Sequence, residues 1–319
     1  SVVVAAFANP TVAHIRERAN NPIANFFIMF SFYCYTLRGS SNIITLFDFL
    51  SRGYNKSFWY NVVMIQDIAP HVFYNHYKNT KPSKGDCVLS FVGKTVAITD
   101  FSNTPVRYLF SIDDTKYFLS MEEFNAEYVP ISDYKEKTTK FILETAHQIY
   151  RWYSHNKFCG QCGTPLEHSD KERMLHCSKC HLQIYPKICP AVIVGVINKD
   201  KLLLTRYNGR EYKHYSLIAG YNEIGETIEE TVHREVMEEV GLKVKNLKFY
   251  KSQPWAFSET LLMGFWAELD SDSDITLDRT ELEEANWFKA EEIELKNDGI
   301  SLTHEMITLF KNKSIASLI

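Results

Sequence analysis

Apolar positions in the first sixty residues fall in aromatic-rich runs with no sustained period, broken at Arg38-Gly39-Ser40-Ser41 and Arg52-Gly53-Tyr54-Asn55. From Met64 the pattern changes to short strand-like runs at 87–92, 95–99, 108–112 and 116–120, separated by turn residues. A helix is expected over 132–153, where Ile142, Ala146, Ile149 and Tyr150 make one apolar stripe. Further on, runs at 191–197 and 202–206 flank the turn at 198–200 and read as a hairpin, and 215–219 reads as another strand. Residues 227–240 hold no Gly or Pro, and Val232, Val236 and Val240 recur every four positions, so a helix is expected there, stopped by a C-cap glycine at Gly241. Strands are expected at 247–252, 260–269 and 284–288. The tail, with Leu302, Met306, Leu309 and Phe310 on one face, reads as an amphipathic helix.

These elements define an α+β protein with two or three domains, which 319 residues can accommodate. Met64 is a plausible natural beginning for the strand-bearing part of the chain, so residues 1–63 read as an extension of unknown role. The most apolar run, 23–37, is shorter than the roughly 20 residues a spanning helix needs. It also lacks a basic start and a small-residue cleavage pattern. The expectation is therefore a cytoplasmic protein without a membrane partner.

Charge changes the picture little. Thirty-five basic against 39 acidic residues leave −4, which argues against a nucleic-acid surface held by bulk charge. Cysteine says more. Of seven, four form two pairs, Cys159-Gly-Gln-Cys162 and Cys177-Ser-Lys-Cys180. The C-x2-C-x14-C-x2-C spacing lets a short hairpin close a tetrahedral S₄ site, the geometry of a zinc ribbon. With four thiolates there is no open position, so the Zn²⁺ is expected to be structural.

The strongest signal is the stretch 220–242, GYNEIGETIEETVHREVMEEVGL. It reads G-x5-E-x7-R-E-U-x-E-E-x-G-U with U apolar, filled by Gly220, Glu226, Arg234, Glu235, Glu238, Glu239 and Gly241. Helical spacing puts Glu235, Glu238 and Glu239 at i, i+3 and i+4, on one surface patch. Three like charges so placed repel unless a cation sits among them, and hard carboxylate oxygens suit Mg²⁺ or Mn²⁺. Glu226 and Arg234 read as a charge pair tying the loop to the helix.

This stretch resembles the Nudix box of hydrolases that cut nucleoside diphosphates linked to another group. The resemblance implies a Nudix fold, a mixed sheet sandwiched by helices, in which Glu235, Glu238 and Glu239 ligate metal and one carboxylate serves as base. A four-Cys ribbon just before the box, and the Pro-stiffened aromatic loop S-Q-P-W-A-F at 252–257 after it, make the chain similar to the NADH pyrophosphatase family of that superfamily. The implied division is an extension at 1–63, a small α+β domain at 64–154, the ribbon at 155–187 and the hydrolase domain at 188–319. The implied activity is metal-dependent cleavage of NAD(H) to AMP and nicotinamide mononucleotide by a homodimer, and removal of NAD caps from RNA. Another diphosphate substrate such as ADP-ribose, or a nucleotide-sensing module, are the alternatives.

By the same resemblance Glu281 and Ala219 join the metal site. Tyr185, Tyr221, Gln253, Trp255, Phe257 and Glu172 become substrate contacts, and Gly220, Glu226, Arg234 and Gly241 shape the box. The chain departs from the family at Ala256 and Ser258, where prolines are typical, and at 300–303, where a small-residue motif is altered.

Overall fold

The computed structural model describes residues 64–100, 104–209, 214–270, 274–295 and 300–312. The chain separates into Ser1–Tyr60 and Asn61–Ile319, and every described residue belongs to the second unit. The expected extension, with its apolar run at 23–37, lies outside the described residues. No helix among the described residues is long and apolar enough to cross a membrane.

Six strands, β1 (Phe73–Tyr74), β2 (Cys87–Val92), β3 (Thr95–Thr99), β4 (Val106–Ile112), β5 (Thr115–Ser120) and β6 (Val129–Pro130), form a sheet in the order β1-β4-β5-β2-β3-β6. Its buried face, with Leu89, Phe91, Leu109 and Leu119, packs on helix α1 (Lys137–His155) through Phe141, Ala146, Ile149 and Trp152. The helix begins five residues later than the apolar stripe predicts. Residues Ile131–Asp133 make a 3₁₀ turn, and the Glu136 carboxylate caps the helix by accepting from the amides of Thr138 and Thr139 at 2.8 and 2.5 Å.

The ribbon comes next as three two-residue strands, β7 (Glu167–His168), β8 (Leu175–His176) and β9 (Gln183–Ile184), paired antiparallel in order. Leu166, Leu175 and Ile184 belong to the same core as α1, so the ribbon is fused to the first domain by apolar packing.

The last domain is a mixed sheet of β10 (Cys189–Asn198), β11 (Lys201–Tyr207), β12 (Ile218–Tyr221), β13 (Val244–Trp255), β14 (Thr260–Leu269) and β15 (Leu282–Lys289). Its order is β13-β14-β10-β11-β15, with β12 paired to β10. The β10–β14 pair is parallel. Helix α2 (Ile228–Val240) covers one face and α3 (Leu302–Asn312) the other. Period-two alternation along β10 separates the two cores: Val192, Val194 and Val196 face α2, while Ile193 and Ile197 face α3. Between those isoleucines sits Gly195, register partner of Trp266. A Cβ there would lie 2.4 Å from the indole, so the glycine makes room for the buried ring.

Candidate active site

Helix α2 is fastened at both ends. Thr227 and Glu230 form a capping box, with the Thr227 amide donating to Glu230 at 2.7 Å and the Glu230 amide to the Thr227 hydroxyl at 3.2 Å. Gly241 closes the other end in the left-handed region at φ 69°. Val232, Val236 and Val240 are fully buried, each worth roughly 1.5–3 kcal/mol. That outweighs like-charge repulsion along the helix of about 0.2–0.5 kcal/mol per pair, which is how the helix tolerates its acidic face.

Arg234 organises that face. Its Nε and Nη2 donate to the two Glu226 oxygens at 2.6 and 3.0 Å, its Nη1 to Glu235 at 2.7 Å and Glu238 at 2.9 Å, and its Nη2 also to the Tyr221 carbonyl at 2.9 Å. The expected Glu226–Arg234 pair is present, and the guanidinium reaches two carboxylates beyond it. The Arg234 hydrogen bonds hold the Glu226 carboxyl at about 2, below the ordinary range.

Glu235 and Glu239 are 9% and 2% exposed, whereas the Glu238 side chain is 59% exposed. Burial lifts the Glu235 carboxyl above its ordinary range, Arg234 opposes the shift, and the charges of Glu238 and Glu281 add to it. Gly220 lies against this carboxylate, since a Cβ on it would stand 1.9 Å from Glu235 Cδ. Buried carboxylate oxygens set one helical turn apart, in a cradle that admits no side chain, fit a divalent cation. Glu235, Glu238 and Glu239 are the residues that would hold it.

Strand register places the other expected residues. Glu281 ends the turn that leads into β15 and is exposed, close enough for its charge to act on Glu235. Ala219 packs toward α3, so it offers the α2 side only its main chain. Tyr221 is 51% exposed, and its hydroxyl lies 3.3 Å from Thr260 Oγ1. Trp255 pairs with Thr260, and Thr260 with Cys189, so Tyr221 and Trp255 meet at one end of the sheet. Tyr185, also 51% exposed, donates to Glu172 at 3.4 Å on the ribbon side.

One expectation in the aromatic segment is corrected. Residues 252–255 are not a loop: β13 continues through them to Trp255. Pro254 is tolerated because β13 is an edge strand, where a missing N–H breaks no pairing. Gln253, expected from the resemblance as a substrate contact, lies in the interior. It is fully buried, donates to Gln66 and the Ile300 carbonyl at 3.0 and 2.9 Å, and accepts from the Leu302 amide at 2.7 Å. Its strand partner Leu262 faces α3, so alternation turns Gln253 to cap that helix.

Ala256–Ser258 form a 3₁₀ turn that α1 grips. Arg151 donates to the Ala256 carbonyl at 2.6 Å and the Phe257 carbonyl at 3.1 Å, and its Nε lies 3.4 Å from Glu259. Phe257 packs on the first-domain core, with the Lys140 ammonium 6.0 Å from its ring and Trp255 at 4.6 Å. Sequence reading missed Arg151, because 105 residues separate it from Ala256 and an arginine on a helix carries no signal of its own.

The four ribbon cysteines bring their sulfurs within 4.8 Å of one another, with Cys159–Cys180 at 3.4 Å and Cys162–Cys177 at 3.5 Å. The two knuckles repeat one design. The amides of Cys159 and Cys177 donate to the Thr164 and Leu182 carbonyls, and the residue after each second cysteine, Gly163 and His181, takes positive φ. Four thiols so arranged fit Zn²⁺ with no position left for water. Among the described residues this is the one cluster of such tightness; the helix carboxylates are spread around Arg234 instead.

Fold and site together are those of a Nudix domain preceded by a four-thiol ribbon. Residues 187–309 match the NUDIX domain and residues 154–185 the NADH pyrophosphatase zinc ribbon domain. It is 43% identical over 148 residues to proteins named NAD-capped RNA hydrolase NudC from Salmonella heidelberg (strain SL476) and Salmonella typhi. Each match covers 46% of this chain and 57% of the relative, so the matched stretch spans little more than half of those proteins. Among solved structures, a NUDIX hydrolase from Nitrosomonas europaea is 25% identical, with a TM-score of 0.43, over 49% of this chain and 90% of its own.

Proposed function

We propose that this chain hydrolyses the diphosphate linkage of NAD(H), giving AMP and nicotinamide mononucleotide, and removes the NAD cap from RNA. The observation that carries the reading is the set of helix carboxylates, Glu235 and Glu238 on Arg234 and Glu239 buried beside them on the same helix, in the domain directly after a four-thiol ribbon. Mg²⁺ or Mn²⁺, when bound, neutralises the diphosphate and acidifies a water. The chain's residues do the rest. Arg234 orients Glu235 and Glu238 by hydrogen bonds, Gly220 leaves room for the Glu235 carboxylate, and Glu238, the most exposed of the three, takes the proton of the attacking water. Tyr221 and Trp255, at one end of the sheet, offer ring faces for a flat heterocycle, with Tyr185 and Glu172 on the ribbon side. Homodimerisation and a cytoplasmic setting belong to the same proposal and rest on the family resemblance and the paired cysteines.

The test is incubation of the purified protein with NADH and Mg²⁺ or Mn²⁺, with NAD-capped RNA and ADP-ribose alongside, and chromatography of the products. AMP and reduced nicotinamide mononucleotide are expected. Glu238→Gln should lower turnover by roughly 10²–10⁴-fold with fold and zinc content unchanged. Near-normal turnover in that variant would refute the role given to the helix carboxylates.

A further inference from the structure

A cavity of about 420 Å³ opens between the first sheet, α1 and the ribbon, far in sequence from the Nudix helix. Its size falls within the range of small-molecule sites. Phe91, Leu119, Leu166 and Leu175 line it as apolar wall, and Arg107, Tyr153 and His168 as polar lining.

These three polar side chains have atoms without partners. Arg107 Nε, the Tyr153 hydroxyl and His168 Nε2 are all buried and make no hydrogen bond among the described residues, and Tyr153 as a whole is 7% exposed. Arg107 lies on β4 beside Leu109, whose side chain belongs to the core. Buried polar atoms left unmatched are costly, and charged ones most of all. Their clustering in one cavity therefore sets them apart from scattered packing faults.

The electrostatics agree with the geometry. The Arg107 charge acts on Tyr77, Tyr153 and His168 together. Burial keeps the Tyr153 hydroxyl protonated and His168 neutral, so a guanidinium and a phenol point donors at the same space. Neighbouring Arg173 donates from Nη1 to Asn75 and from Nη2 to the Leu109 carbonyl. The other charged side chains lining the cavity, Glu122, Glu123 and Lys157, are exposed at its mouth.

We propose that this cavity is a second ligand site, separate from the Nudix carboxylates, which takes a small organic anion. Its phosphate or carboxylate head accepts from Arg107 and Tyr153, and its apolar body lies against Leu119, Leu166 and Leu175. Because α1 also carries Arg151, an occupant of this cavity touches the helix that holds the aromatic turn of the Nudix domain.

Calorimetric titration of the zinc-loaded full chain with phenyl phosphate and with benzoate, without added Mg²⁺ or Mn²⁺, tests this, because the two probes share a ring and differ in head group. At least one should bind with a Kd below about 1 mM, an affinity of ordinary small-ligand contacts. The tighter probe identifies the head. Arg107→Gln should weaken binding at least about tenfold while leaving zinc content and diphosphate hydrolysis unchanged, and Tyr153→Phe, a smaller change to the core, should weaken it as well. Absence of binding by both probes overturns the proposal, as does equal binding by wild type and both variants.

Discussion

Gly220 and Glu226 show opposite demands within one short motif. At Gly220 the demand is space, because any Cβ overlaps the Glu235 carboxylate. Gly220→Ala should cost about 1–3 kcal/mol of stability as an overpacking change. It should also lower turnover about 100-fold, since a displacement near 1 Å at a reacting group has that effect; denaturant unfolding and initial rates measure the two. At Glu226 the demand is charge. Arg234 depresses its carboxyl to about 2, so the pair's stabilisation is present above the ordinary carboxylate value near 4.5 and is lost as pH falls toward 2. Urea unfolding between pH 7 and pH 3 should show wild type losing more stability than Glu226→Gln, and parallel curves would contradict this. Both residues were legible in the sequence as members of a spaced motif, since short-range helical geometry fixes their neighbours. That Glu235 and Glu239 would be buried and Glu238 exposed was not, because this depends on which flank of the helix meets β12.

Among the elements, the turn after β13 is the informative case. Its main chain is held by Arg151 of α1 at two carbonyls, and the Glu259 carboxylate lies beside the same guanidinium; the resemblance implies prolines where this chain has Ala256 and Ser258. Arg151→Ala should speed amide hydrogen exchange across 254–259 and raise the KM for the dinucleotide about tenfold, more than it lowers kcat. Arg151→Lys should recover only part of this, because an ammonium cannot present the fork that reaches both carbonyls. Unchanged exchange in the alanine variant would remove Arg151 from any positioning role, whatever the substrate proves to be. The strands flanking this turn were readable by alternation and turn residues, and 260–269 coincides with β14. The reach of β13 through Pro254 and the inward turn of Gln253 were not, because an edge position and a helix-capping partner 49 residues away have no local signature.

Across the domains, the ribbon joins the first sheet and α1 through Leu166, Leu175 and Ile184, so its metal supports more than its own knuckles. Removing Zn²⁺ with a chelator should lower the thermal midpoint, by about 2–4 °C for each kcal/mol lost, and should loosen α1 and the aromatic turn with it. Calorimetry on zinc-loaded and zinc-free protein measures this, and equal midpoints would mean the ribbon is energetically independent. Features with a local cause were written in the chain itself: the Nudix helix with its caps and carboxylate spacing, the thiol knuckles, and the alternating strands of both sheets. Folding settled the others, namely which carboxylates lose water, that Gln253 caps α3, that Arg151 grips a turn in another domain, and that Arg107, Tyr153 and His168 share a cavity. Each of these is a contact between residues far apart in the chain, chosen by which faces of the sheets and helices meet, and no local pattern of side chains encodes that choice.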